Sequence, residues 1–363
     1  MKFGNMLYSL QDITLIPATI SEINSRSECN PYYNNKKLPL FVAPMSQILD
    51  ENNWETYNKY VNTIIPRNIP LETRLELSTK TFVALSLDEF QDRFCYDQEP
   101  DATHYILVDV ANGHMQKLLD ACALAKIFWE DKLVLMAGNV ANPETYFDYS
   151  RAGIDYIRLS IGSGSQCTTA NTGIFYPMAS LITNTNHHKQ RVIDAIDCRN
   201  PEYKSVPKIV ADGGFNTFGD IIKALALGAD YIMCGKIFAQ TVEACGEILY
   251  DVFPSNYDIL KDGPFNEWIR TQEISRMKFL GCHRDYYGMS TKMAQREFGK
   301  EGNKTEEGIY SIVHIRWYLD TWITEFTDYL KSAMSYTNHK SLETFVGGVL
   351  WSILSPTSIR TFK

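Results

Sequence analysis

KIVADGGFNTFGDIIKALALGADYIMCGKIF, residues 208–238, holds two short apolar runs and, between them, a segment whose apolar residues recur at helical spacing. The first run, KIVADGG (208–214), ends in an aspartate and two glycines, and the second, YIMCGKIF (231–238), passes through Gly235 and Lys236. Neither run alternates apolar with polar residues, which is the pattern of a parallel strand covered on both faces. The stretch therefore predicts a strand, a helix and a second strand parallel to the first.

Outward from this unit the same alternation repeats along the chain. Apolar runs occur at LPLFVAP (38–44), VNTIIP (61–66), TFVALSL (81–87), HYILVDV (104–110), LVLMAGNV (133–140) and YIRLSIG (156–162), giving eight with the two already quoted. Segments such as HMQKLLDACALAKIFWED (114–131) supply the helices between them. Eight successive strand-helix units predict an α/β fold, a (β/α)8 TIM barrel, whose active site lies at the C-terminal ends of the strands. Past residue 254 the pattern stops, and KFLGCHRDYYGMSTKMAQREFGKEGNKTEEG (278–308) reads as a polar flap over the barrel mouth. LETFVGGVLWSI, near the C-terminus, reads as a terminal helix or subunit contact. The expected organisation is one catalytic domain, 1–363, with its barrel core at about 38–253 and its flap and C-terminal segment at about 278–363.

Small and polar residues gather at the predicted strand ends: Asp109, Asn112 and Gly113 after the fourth, Gly138 and Asn139 after the fifth, Gly162 after the sixth. Asp212, Gly213 and Gly214 follow the seventh, and Gly235 and Lys236 the eighth. A single glycine at such a place is an ordinary turn residue. Glycines after strands seven and eight, each before a helix, form a phosphate grip of backbone N–H groups and helix dipoles. A phosphorylated small molecule is the ligand this implies.

The chain carries a formal charge of -8, with 35 Lys and Arg against 43 Asp and Glu, which argues against general affinity for nucleic acid or an anionic membrane. The N-terminus has no secretory pattern and no stretch has the length of a membrane span, so a cytoplasmic location is expected. Eight cysteines with no C-x-x-C pair make a reduced-thiol pattern, not a disulfide framework or zinc site. Seven of them have bland readings: Cys122, Cys234 and Cys245 as core, Cys29, Cys95 and Cys198 without a partner motif, Cys282 as an incidental neighbour of His283. His187 and His188 are adjacent, which cannot aim two imidazoles at one metal in helix or strand, and they read as loop residues.

The eighth thiol is different. Cys167 lies in SIGSGSQCTTANTG (160–173), a run of Gly, Ser and Thr at the predicted barrel mouth. A thiol becomes a nucleophile where backbone N–H donors, a helix N-terminus or a cation favour its thiolate. Thr169 puts a hydroxyl two residues beyond it, and Glu301 stands in the basic, glycine-bearing GKEGNK; taken singly, each has an ordinary structural or solvated reading.

Together these stretches resemble the IMP dehydrogenase / GMP reductase family over almost the whole chain. GSGSQCTT is similar to its catalytic cysteine loop, residues 211–239 to its phosphate-binding unit, YYGMS (286–290) to its base-contacting segment, and SLQDITLIPATISEINSRSE and SAMSYT to its flanks. DVANGH (109–114), MAGNVANPET (136–145) and YYGMS lean toward the reductase branch. Residues 67–80 run directly into the third strand and leave no room for an inserted regulatory domain, although some dehydrogenases also lack one. KEGNKTEEG shows no Arg-Tyr pair of the kind that activates water in the dehydrogenases, whereas Thr169 and Glu301 match the reductases' ammonia-handling pair.

What the resemblance implies is reductive deamination of GMP with NADPH. Cys167 would attack the purine, with Thr169 and Glu301 expelling the amine. Asp212 would hold the ribose hydroxyls; Ser165, Gly213, Gly214, Gly235, Lys236 and Tyr287 would surround the phosphate; Gly288, Met289 and Ser290 would follow the base. Asp109, Asn112, Gly113 and Asn139 would line the nicotinamide, and carbonyls of Gly162, Gly164 and Cys167 would bind potassium. The family also implies a homotetramer. Ser163, Ala170, Lys236 and Ser46 depart from the family's usual residues. The competing readings are an IMP dehydrogenase lacking its regulatory domain and a non-catalytic barrel that binds purine nucleotide.

Overall fold

In the computed structural model, residues 6–34, 36–96, 102–162, 172–250, 281–288, 291, 308–355 and 358 are described. Eight parallel strands form one sheet in sequence order: β1 (Leu40–Val42), β2 (Ile64–Ile65), β3 (Phe82–Leu85), β4 (His104–Asp109), β5 (Leu133–Val140), β6 (Tyr156–Leu159), β7 (Lys208–Asp212) and β8 (Tyr231–Cys234). β8 pairs with β1, as the parallel register Leu40 to Ile232 shows. The remaining seam is stitched by Val42 N–H to Asn62 O and Asn62 N–H to Leu40 O, both 2.9 Å. The result is the expected (β/α)8 barrel.

Strand alternation divides the apolar residues into two sets. Leu40, Val42, Val83, Leu85, Ile106, Val108, Leu135, Ile157, Leu159, Ile209 and Ile232 face outward into a core shared with the helices. Phe41, Ala43, Ile64, Phe82, Ala84, Leu107, Met136, Val210 and Met233 face inward and fill the barrel. Arg158 lies between outward Ile157 and Leu159, so its side chain belongs to the inward set.

The outer helices are α1 (Trp54–Asn58), α2 (Leu71–Leu77), α3 (Leu87–Phe94), α4 (Gln116–Trp129), α5 (Thr145–Arg151), α6 (Met178–Asp197), α7 (Phe218–Ala226) and α8 (Lys236–Ala239). At four residues, α8 is too short to clad the wall beside β8. That place is taken by α9 (Leu319–Tyr336), whose Trp322 ring lies 5.4 Å from the rings of both Phe218 and Phe238. Trp322, Phe326 and Leu330 are fully buried on its inner face, each contributing about 1.5–3 kcal/mol by burial. The sequence pattern ends at 254, so this wall was not expected from so distant a segment.

Three antiparallel strands, β9 (Leu249–Tyr250), β10 (Cys282–Tyr287) and β11 (Tyr310–His314), form a small sheet. LETFVGGVLWSI gives a short helix, α10 (Leu342–Phe345), and then a strand, Trp351–Ile353, which pairs antiparallel with Ile13–Leu15. Among the described residues no helix is long and apolar enough to cross a membrane. His187 and His188 correct the sequence reading: both lie inside α6, not in a loop. Helical periodicity there is carried by Leu181, Ile182, Thr185, His188 and Val192, so His188 stands on the buried face and contacts Glu144 Oε1 at 3.3 Å.

Candidate active site

The inward set ends at the C-terminal mouth in charge. Asp109 is the last residue of β4, Asp212 the last of β7, and Arg158 reaches both from β6 between them. Arg158 donates from Nη1 to Asp109 Oδ1 at 2.7 Å, and from Nε and Nη2 to Asp212 Oδ2 at 2.9 and 2.7 Å. Its side chain is 10% exposed, and theirs 16% and 14%. Burial alone would discourage the guanidinium charge, but the two carboxylates outweigh it and hold the Arg158 pKa above its ordinary value. Gly138 permits this arrangement: a Cβ there would lie 2.5 Å from Arg158 O and 2.7 Å from its Cβ.

Beyond Asp212 the chain turns through Gly213 and Gly214, with φ of 91° and 85°, a conformation natural to glycine. The α7 terminus is capped by its own side chains. Thr217 Oγ1 accepts from Asp220 N–H at 3.1 Å, and Asp220 Oδ2 accepts from Asn216 and Thr217 N–H at 3.2 and 3.1 Å. On the neighbouring strand, Gly235 begins α8, and Lys236 follows half-buried with no carboxylate partner among the described residues. A Cβ on Gly235 would meet the Tyr286 hydroxyl at 2.5 Å and Met45 Sδ at 3.1 Å. The two glycine turns thus end adjacent parallel strands, with the Tyr286 phenol against Gly235 and the Lys236 cation next in the chain, a combination suited to a phosphate.

The β4 and β5 ends are joined by backbone contacts. Gly113 N–H donates to Asn139 O at 2.7 Å, Asn139 N–H donates to Val110 O at 2.9 Å, and the Tyr149 hydroxyl donates to Gly113 O at 3.0 Å. Gly113 is needed here, since a Cβ would fall 2.7 Å from the Tyr149 hydroxyl and 2.8 Å from Asn139 O. His114 closes the turn by accepting from Ala141 N–H through Nε2 at 3.1 Å, which leaves Nδ1–H to donate to Thr145 Oγ1 at 3.0 Å. Burial lowers the His114 pKa, in keeping with a neutral ring. Asn112 is exposed, and its Oδ1 accepts from His114 N–H. Asn139 Oδ1 is buried with no hydrogen-bond donor among the described residues, an orphan acceptor of the kind that a carboxamide N–H would satisfy.

On β10, Tyr286 is buried against Gly235, while Tyr287 lines a cleft of about 480 Å³ with Ser46, Gln47, Asn68 and Asp285. Arg284, fully buried, donates from Nη1 to Ala239 O and Thr241 O, both 2.8 Å, and so ties the β10 hairpin to α8. Gly288 follows the strand and its carbonyl accepts from Thr291.

The structure thus gathers Asp109, Asn139, Asp212, Gly213, Gly214, Gly235 and Lys236 at one mouth, with Asn112 and Gly113 on its rim and Gly162, φ 74°, at the end of the β6 segment. Ser163, Gly164, Ser165, Cys167, Thr169, Ala170, Met289, Ser290 and Glu301 lie outside the described residues. The other thiols behave as core or surface groups: burial holds Cys122 and Cys234 above the ordinary thiol range and pushes Cys245 up to about 12. Sequence reading passed over Arg158 and Tyr286. An arginine inside the apolar run YIRLSIG, at an inward strand position, was the available signal for the first; Tyr286 carried none that separates it from Tyr287.

The profile of the IMP dehydrogenase / GMP reductase domain matches residues 96–259. An IMP dehydrogenase of Chlorobaculum parvum is 34% identical over 240 residues, 66% of this chain and 42% of that protein. A GMP reductase of Buchnera aphidicola subsp. Schizaphis graminum is 30% identical over 242 residues, again 66% of this chain and 58% of its own length. The chain thus covers only about half of these two relatives. A GMP reductase of Streptococcus suis is 26% identical over 351 residues, 93% of this chain and 92% of the relative.

Proposed function

Since this chain belongs to the IMP dehydrogenase / GMP reductase family, we propose that it is a GMP reductase, converting GMP to IMP and ammonia with NADPH. The observation that carries this reading is extent: the match to the Streptococcus suis reductase covers 92% of that protein, against 42% of the Chlorobaculum parvum dehydrogenase. The higher identity to the dehydrogenase, 34%, favours the second reading, an IMP dehydrogenase without its regulatory domain.

In the proposed site the phosphate of GMP lies on Gly213, Gly214 and Gly235, with Ser165, Tyr287 and the Lys236 ammonium beside it. Asp212 accepts from the ribose hydroxyls, and Gly288, Met289 and Ser290 run along the base. The Cys167 thiolate attacks C2 of the purine, and the electron pair of the C2–N bond leaves with the amine, which takes its proton through Thr169 and Glu301. Covalent attachment separates amine loss from reduction, so neither needs to occur in one displacement. Asp109, Asn112, Gly113 and Asn139 Oδ1 would hold NADPH by its nicotinamide, and the chemistry it would supply there is a hydride for C2 in place of the departed amine. Release of the purine then returns the thiolate to Cys167.

The same reading includes a potassium ion on carbonyls of Gly162, Gly164 and Cys167, a homotetramer, a cytoplasmic location, and a single catalytic domain without a regulatory insertion. The test is absorbance of the reduced cofactor in two reactions, GMP with NADPH and IMP with NAD. Consumption in the first supports the reductase, formation in the second replaces it by the dehydrogenase, and silence in both leaves a nucleotide-binding barrel. Cys167→Ser is expected to abolish the signal, and an undiminished rate overturns covalent catalysis.

A further inference from the structure

We propose that Arg158 is a positioning residue that couples the substrate side of the mouth to the cofactor side, so that occupancy of one tightens binding at the other. The inference rests on the functional reading above, which assigns Asp212 to the ribose and Asp109 to the nicotinamide side. It adds a residue that belongs to neither group.

The geometry is that of a shared cation. One edge of the guanidinium, Nε and Nη2, is committed to Asp212 Oδ2, and Nη1 is committed to Asp109 Oδ1. The two carboxylates lie on opposite sides of one rigid, planar group, so neither can rotate without straining its bond to that group. Nor can the guanidinium withdraw: its side chain is 10% exposed, and the β5 backbone at Gly138 stands against the Arg158 backbone and Cβ. The three side chains come from β4, β6 and β7, which approach the mouth as separate walls. Arg158 is the group through which the end of β4 and the end of β7 share a hydrogen-bonded link.

A hydroxyl pair that draws the Asp212 carboxylate toward itself shifts the guanidinium with it, since their bonds cannot give without strain, and the guanidinium shifts Asp109. Asp109 then meets the second ligand already displaced, and the cost of moving the linked groups has been met by the first. Such coupling is reciprocal: the cofactor strengthens substrate binding by the same factor. A lysine cannot replace this, since a single ammonium on a flexible stem does not present two fixed edges to two carboxylates.

The experiment is calorimetric titration of NADP+ into the protein with and without saturating GMP, a pair that binds without turning over. The wild type is expected to bind NADP+ roughly fivefold or more tightly when GMP is present. Arg158→Lys, which keeps the buried positive charge, is expected to bind each nucleotide alone but to bring that ratio to within about twofold of unity. Arg158→Gln is expected to do the same where it folds; where it does not, the lysine variant decides. A ratio retained in Arg158→Lys, or absent from the wild type, overturns the proposal. Binding of IMP with NADH, the pair a dehydrogenase does not turn over, in place of GMP with NADP+ overturns the reductase reading instead, and the same ratio measured on that pair then judges Arg158. Failure to bind either pair overturns both.

Discussion

At the N-terminal end of the barrel, Phe41, Phe82, Tyr105, Tyr156 and Tyr231 meet ring to ring, with centroids 5.2–6.1 Å apart in tilted and edge-on pairs. At the C-terminal end, β4 and β6, two of the strands that supply those rings, carry Asp109 and Arg158, and β7 adds Asp212. Along β6 the change takes two residues, from Tyr156 to Arg158. The first layer excludes water and is held by area and shape; the second is held by hydrogen bonds from one guanidinium to two carboxylates. The contrast teaches that the barrel concentrates its stabilising material at one end, which frees the other to carry buried charge that packing alone would not select.

The comparison breaks most severely if the ring layer proves dispensable. Phe82→Ala is expected to cost about 3–5 kcal/mol of unfolding free energy, read from the urea midpoint, with substrate KM little changed. A large KM change with small stability loss would mean that the two ends are not separate in role. At the mouth the reverse is expected: Asp212→Asn removes a charged acceptor worth roughly 1.5–3 kcal/mol, and kcat/KM for GMP should fall by roughly ten- to a hundredfold. Gly113→Ala forces a methyl toward the Tyr149 hydroxyl and should destabilise by about 1–3 kcal/mol, measured by chemical denaturation.

The smallest effect expected is one of pH. His114 is neutral in the fold because burial lowers its pKa, so the unfolded chain binds the extra proton first as pH falls. Its contribution is therefore present above about pH 6.5 and declines below that value. Thermal midpoints of wild type and His114→Gln, compared between pH 7.5 and 5.5, are expected to converge toward the acid end. Parallel behaviour of the two would remove His114 from the acid response.

Legibility followed locality. The strands were readable because each is a short apolar run, and the glycine turns because their positions follow directly from those runs. The ion triad was not, since Arg158 stands 49 residues from Asp109 and 54 from Asp212, and only closure of the barrel brings them within 3 Å. Asp109 and Asp212 were found at predicted strand ends and took their roles from resemblance; Arg158, hidden within an apolar run, needed the inward parity of β6. His187 and His188 were read as loop because the polar stretch NTNHHKQR masks the helical spacing on either side. The cladding of β8 by α9 was beyond any local signal: α9 begins at Leu319, 85 residues after β8 ends at Cys234.

That separation has a consequence for how the molecule is made. Among the described residues Phe218 meets its aromatic partners only when Trp322 and Phe326 arrive, Phe238 has only Tyr57 until Trp322 joins it, and Ile13–Leu15 finds its pairing partner only at Trp351–Ile353. During synthesis the first elements must wait through more than three hundred residues for the contacts that finish them. An arrested chain ending near residue 250 would expose an oily flank beside β8, an inviting target for chaperones and proteases.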